Sequence, residues 1–231
     1  MRDLGDCVLT WQDRLTREQC RSMLTSVAAQ HRAFLGAAPA DLTPLPDRLA
    51  SFAPDRMAPF VSSTNPLAAI SIRGWEIFAQ TVPADVVEPV FALLADPQPR
   101  ADALQSRPMT LVHGDLATVN VALRHGELTL LDWAMPAAAP GAVDIARFVV
   151  GCSSVVDTSR EQIIADYAQA AGPAYDEPVM RLALLSAFCW LGWVKALDAA
   201  EHPDPVVRAR EQDDLGWWSH QARLTLDAGL L

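Results

Sequence analysis

Lysine is almost absent from this 231-residue chain: seventeen of its eighteen basic residues are arginine, and the one lysine is Lys195. Any site that needs a lysine to hold phosphate therefore has a single candidate. Glycine is thinly spread, and no two of the eleven lie close enough to form a G-x-G-x-x-G turn. The four cysteines, Cys7, Cys20, Cys152 and Cys189, are far apart with no C-x-x-C pair. That pattern argues against a zinc site or a dense disulfide framework and suits a reducing, cytoplasmic compartment. No basic run relieves the net charge of −10, so nucleic acid is not an expected partner. The opening MRDLGDCVLTWQDRL lacks the cationic start and apolar stretch of an export signal. The longest uncharged apolar segment, Leu182 to Val194, is shorter than the ~20 residues of a membrane-crossing helix and reads as a buried helix, with no membrane partner.

What is present is the composition of a folded protein, 51% hydrophobic and 20% charged, which excludes disordered and collagen-like classes. The length allows one compact unit or two small lobes. From Leu15 to Leu35 the residues Cys20, Met23, Leu24, Val27, Ala28, His31, Phe34 and Leu35 follow the 3/4 spacing of one helix face, and Thr16 with Gln19 has capping-box spacing. Between Gly36 and Pro66 six prolines predict a loop with short helical turns. Helices are expected at Ala68 to Thr81 and Ala84 to Ala95, then a polar approach from Pro97 to Pro108. Thr110 to Val112 is short and β-branched, and Asn120 to Leu123 with Leu128 to Leu131 flank a turn at Arg124-His125-Gly126-Glu127, the pattern of a β-hairpin. Helical periodicity resumes after Thr158, which has capping-box spacing with Glu161, and continues through Glu177 to Ala200 and Val206 to Ala228. The expected class is a mostly helical α+β unit with its polar chemistry gathered at one hairpin.

Asp115, Asn120 and Asp132 interrupt this apolar pattern beside the hairpin. A loop after the first strand carries Asp115, the hairpin begins at Asn120 and its second strand ends at Asp132, so the three can converge at one end of a two-stranded ribbon. An Asn and an Asp offering oxygens at one point suit Mg²⁺, and a further Asp can accept a proton from an attacking hydroxyl. Turn punctuation by Asp and Asn is the bland alternative.

His113-Gly114-Asp115 followed by Asn120, and then Leu130-Leu131-Asp132-Trp133, resembles the catalytic and metal-binding segments of the aminoglycoside phosphotransferase and choline kinase-like family, which shares the protein kinase-like fold. The resemblance implies a C-terminal lobe spanning 1–231. It makes Asp115 the catalytic base, and it gives Asn120 and Asp132 to the Mg²⁺ that bridges the phosphates of ATP. Pro140, Gly141 and Asp144-Ile145-Ala146 resemble the next segment, where the Asp braces the catalytic loop. Met1 to Asp6 resembles the hinge that follows an N-terminal lobe, so that lobe, with its glycine loop and strand lysine, is expected to be missing from this chain. Ala117-Thr118-Val119 and Ala134 depart from the family's usual residues.

Two functions follow from the resemblance. One is an ATP-dependent phosphotransferase acting on the hydroxyl of a small molecule; the negative charge favours an amine-bearing or aminoglycoside-like acceptor. The other is a catalytically silent, kinase-like binding module, because the glycine loop and the phosphate-binding lysine are absent. By itself the lobe is expected to be weak or inactive, with apolar surface near Leu4, Val121, Leu123 and Leu131. His113 and His31 read as packed histidines, Trp190, Trp193, Trp217 and Trp218 as helix packing, and Glu201, Asp204, Glu211, Asp213 and Asp214 as a solvated acidic face.

Overall fold

The computed structural model describes residues 4–62, 64, 66–124 and 126–231. Met1 to Asp3 of the hinge-like segment, and His125 of the hairpin turn, lie outside the described residues. The chain forms two compact units, one from Met1–Pro44 and Arg107–Met180, the other from Leu45–Ser106 and Arg181–Leu231.

The first unit opens with a 3-10 turn, Gly5–Cys7, after which Val8 bridges antiparallel to Ala122. Helix α1 (Arg17–Ala33) starts at the expected box: Thr16 Oγ1 accepts from the Gln19 amide, and the Gln19 side chain accepts from the Thr16 amide. Such a cap contributes about 0.5–2 kcal/mol. The predicted face is buried from Cys20 to His31, with Leu24 and Val27 fully enclosed, whereas Phe34 and Leu35 lie past the helix end and are exposed; each enclosed side chain stabilises by about 1.5–3 kcal/mol.

In the second unit, α2 (Leu45–Leu49), α3 (Pro54–Met57), α4 (Leu67–Thr81) and α5 (Ala84–Ala95) follow the sequence pattern. Pro97 to Pro108 is not merely a polar approach, because it holds α6 (Gln98–Gln105). Its prolines fall at the helix start, where a missing amide donor costs nothing. Arg100, fully buried, donates through Nη2 to the Leu93 carbonyl in the last turn of α5, the end of a helix dipole that favours a cation.

Back in the first unit, β1 (Thr110–Val112) leads to a 3-10 turn, Thr118–Asn120, and to the hairpin β2 (Val121–Arg124) and β3 (Glu127–Leu130). Each hairpin strand is displaced by one residue from its expected range, yet the Leu131 amide still donates to the Asn120 carbonyl at 2.8 Å and extends the ladder. A strand with no sequence signature, β4 (Ala137–Ala139), pairs antiparallel with β1, Thr110 opposite Ala139. Three alanines carry no alternation and reveal nothing of this pairing beforehand. Helices α7 (Ala142–Cys152) and α8 (Arg160–Ala171) complete the unit. The cap of α8 is Ser159, whose hydroxyl accepts from the Gln162 amide, rather than Thr158.

Helix α9 (Glu177–Glu201) begins in the first unit and passes into the second, where α10 (Pro205–Asp227) follows. Among the described residues α9 is the one helix long and apolar enough to cross a membrane, and 78% of its most apolar stretch is buried in the protein. Trp75, Phe78, Phe188 and Trp218 form the aromatic core of the second unit, with ring centroids 5.1–5.9 Å apart along that series. Trp190 and Trp193 are buried too, and Trp190 packs on Phe52 and under the Arg48 guanidinium. The acidic face is not uniformly solvated: Glu211 and Asp214 are buried and both bind Lys195 Nζ, at 2.9 and 2.7 Å. Val121 likewise departs from expectation, being fully buried, while Val8, Trp11 and Trp133 are exposed.

Candidate functional site

Helix α7 organises the candidate site. Its residues Asp144 and Arg147 stand three apart, on neighbouring turns of one face, and together they hold three consecutive residues of the loop after β1. Asp144 Oδ2 accepts the His113 amide and Oδ1 accepts the Gly114 amide, both at 2.8 Å. Arg147 Nε donates to Asp115 Oδ1 at 2.7 Å. Gly114 has φ +80°, a left-handed conformation in which a side chain would be strained.

Behind this loop lies a buried relay. His31 Nε2 meets Asp144 Oδ2 at 3.1 Å, and His31 Nδ1 meets the Tyr167 hydroxyl at 3.0 Å. Burial, reinforced by the Asp144 charge, pushes the Tyr167 hydroxyl up, so it keeps its proton, and the Asp144 carboxylate can only accept. Nε2 then carries the ring proton toward Asp144. Burial alone would raise the Asp144 carboxyl; His31 and the amides of His113 and Gly114 outweigh it and hold the carboxyl below its ordinary value. Asp144 is thus a brace of the loop, as the sequence suggested, and His31 is a packed histidine.

His113 is also packed. Its Nε2 lies 2.7 Å from the Leu131 carbonyl and so donates, leaving Nδ1 to accept the Asp115 amide at 3.3 Å. The imidazole ties the loop to the residue preceding Asp132, and its ring rests against Trp133 with centroids 4.7 Å apart.

The three candidate residues are placed as follows. The Asp115 side chain is 29% exposed. Asn120 is buried; its Nδ2 donates to the Asp115 carbonyl at 2.8 Å and to Asp115 Oδ2 at 3.2 Å, which leaves its Oδ1 as an acceptor. Asp132 follows Leu131, the residue paired to Asn120 through the ladder, and is exposed. Its φ of +54° is unusual for a residue other than glycine, a backbone state that clusters at functional sites. Asp115 and Asn120 are therefore in direct contact, and Asp132 is tied to them through backbone pairing.

This donor set fits a hard divalent cation: Asn120 Oδ1 is the oxygen left over once Nδ2 is engaged, and among the described residues no hydrogen bond is given to the Asp132 carboxylate. Among the described residues no cluster of three His, Cys, Asp or Glu forms a metal cage. The first unit's cavity of about 550 Å³ is lined by His31, Gly141 and Tyr167 among others, and by none of Asp115, Asn120 or Asp132.

Arg147 is the participant that the sequence reading missed. A signal was available: it is a lone cation three residues after Asp144 in the otherwise apolar run Ile145-Ala146-Arg147-Phe148-Val149.

A family model described as the phosphotransferase enzyme family matches residues 4–182. The solved structure of choline kinase from Cryptosporidium parvum Iowa II aligns with a TM-score of 0.51 at 11% identity, over 95% of this chain and 70% of that one. An aminoglycoside phosphotransferase from Alicyclobacillus acidocaldarius subsp. acidocaldarius DSM 446 aligns with a TM-score of 0.43 at 14% identity, over 91% of this chain and 64% of that one. A glucosamine kinase aligns with a TM-score of 0.30 at 18% identity, over 90% of this chain and 52% of that one. No curated protein matches the chain.

Proposed function

The chain belongs to the phosphotransferase enzyme family, and from that premise we propose that it is the catalytic lobe of an ATP-dependent kinase acting on a small-molecule hydroxyl. The observation that supports this most is the contact of Asp115 with Asn120 on a loop braced by Asp144. Arg147 holds Asp115 Oδ1 at 2.7 Å while Asn120 meets Oδ2 at the longer 3.2 Å, so Oδ2 is the oxygen that accepts the proton of the acceptor hydroxyl as the hydroxyl oxygen bonds to the γ-phosphorus and the bond to ADP breaks. Asn120 Oδ1 and the Asp132 carboxylate would hold Mg²⁺. When bound, that ion supplies charge neutralisation on the nucleotide phosphates. The net charge of −10 favours an acceptor carrying an amine.

One observation favours the silent binding module for this chain by itself. Lys195, the single lysine, is buried between Glu211 and Asp214 and is engaged there rather than at a phosphate. Loss of one preorganised donor costs about 3–4 kcal/mol of transition-state stabilisation, so transfer by this chain is expected to be slow.

The deciding experiment is transfer of γ-phosphate from radiolabelled ATP to a panel of amino alcohols, amino sugars and aminoglycosides, with wild type and Asp115→Ala. Slow labelling that disappears in Asp115→Ala is expected. Labelling that survives the substitution, or none from wild type with any acceptor, overturns the enzymatic reading.

A further inference from the structure

Arg147 is buried, with its side chain 8% exposed, in a helix whose neighbouring residues Ile145, Ala146, Phe148 and Val149 are all buried and apolar. A residue needed only to fill that space would be apolar too, because enclosing a guanidinium is costly unless it is paired. Here Nε, on the edge of the guanidinium, reaches Asp115 Oδ1 at 2.7 Å. Room for the group comes from Gly151, one helical turn on, where a Cβ would stand 2.1 Å from Arg147 Nη1.

Asp115 is thereby held from two sides, by Arg147 on Oδ1 and by Asn120 on Oδ2. The Asn120 contact, at 3.2 Å, is the longer of the two and involves an oxygen that the acceptor also needs. The carboxylate's orientation then depends on the arginine. We propose that Arg147 is a positioning residue for phosphoryl transfer: its Nε fixes the Asp115 carboxylate in the rotamer that presents Oδ2 to the acceptor hydroxyl. Gly151 supports it by leaving the guanidinium in place. The inference rests on the phosphotransfer reading for its chemistry, while the positioning itself can be read without turnover.

The test compares the full chain with Arg147→Met, Arg147→Lys and Gly151→Ala. The Gly151 variant displaces the flexible end of the arginine without removing its charge, so it reports even if Arg147→Met fails to fold. The first readout is the Asn120 side-chain amide resonance in ¹⁵N NMR, because that amide donates to Asp115 Oδ2 and senses its rotamer. It is expected to move or broaden in Arg147→Met and Gly151→Ala, and to move less in Arg147→Lys. The second readout is steady-state transfer to the best acceptor. Here kcat should fall on the order of 10²-fold in Arg147→Met, with acceptor KM within about twofold and partial recovery in Arg147→Lys.

An Asn120 resonance unchanged in both Arg147→Met and Gly151→Ala overturns the proposal. So does a loss of turnover expressed in KM with kcat intact. A wild type without measurable transfer overturns the phosphotransfer reading alone, and the amide resonance then decides on Arg147.

Discussion

Replacing Asp144 by alanine removes an acceptor shared by three donors: the amides of His113 and Gly114 and the Nε2 proton of His31. All three lie where water does not reach, since Asp144 is fully buried. Each orphaned donor costs about 1–3 kcal/mol. The losses overlap, because the loop relaxes once the first contact has gone, so the expected destabilisation is about 3–5 kcal/mol, the range for a broken buried charge pair. For a chain of this length that is a fall of roughly 6–20 °C in melting temperature. Asparagine should not rescue it, since one carboxylate oxygen would become an amide NH2, a donor facing a backbone N–H donor. The pH dependence has a definite sign. The Asp144 carboxyl is depressed in the folded protein below the ordinary 3.8, so its stabilising contribution is complete above that value and is lost as pH falls through the folded-state value. Urea titrations of wild type and Asp144→Ala should therefore differ most at neutral pH and converge progressively below about pH 4. A difference below about 1 kcal/mol at pH 7, or one that widens on acidification, would refute the bracing argument.

Two further perturbations test other parts of the fold. Gly141→Ala places a Cβ 2.4 Å from His31 Nδ1 and 2.6 Å from the Tyr167 hydroxyl; it should cost about 1–3 kcal/mol in thermal denaturation, and a neutral result would mean that the His31–Tyr167 pair is not held tightly. Lys195→Met takes the buried cation away from Glu211 and Asp214, while Arg210 stays on Glu211; it should cost about 3–5 kcal/mol, whereas the triple change adding Glu211→Leu and Asp214→Leu should recover most of it. Equal stability of the single and triple variants would count against a real buried ion cluster.

The helices were legible because their apolar faces repeat: α1 starts at its Thr16 box and α5 falls on Ala84–Ala95 as read from periodicity. The strand β4 was not, since three alanines have neither alternation nor branching. The burial of Glu211 and Asp214 was hidden for a different reason. Acidic residues of a helix are normally solvated, and it is pairing with Lys195, sixteen residues from Glu211, that lets these two lie in the interior. At the site, the loop and hairpin order brought Asp115 and Asn120 together as their spacing implied, and Asp144 proved to hold the loop. What spacing could not convey was which side chain secures Asp115 from behind. That depends on how α7 is rotated about its axis, which tertiary packing decides.

The measurement closest to the central claim is isothermal calorimetry of Mg·ATP binding to wild type, Asp132→Ala and Asp115→Ala. The account predicts binding by wild type, its loss in Asp132→Ala, and its retention in Asp115→Ala, because Asp132 serves the cation and Asp115 the acceptor. Equal binding by wild type and Asp132→Ala would contradict the assignment of the site.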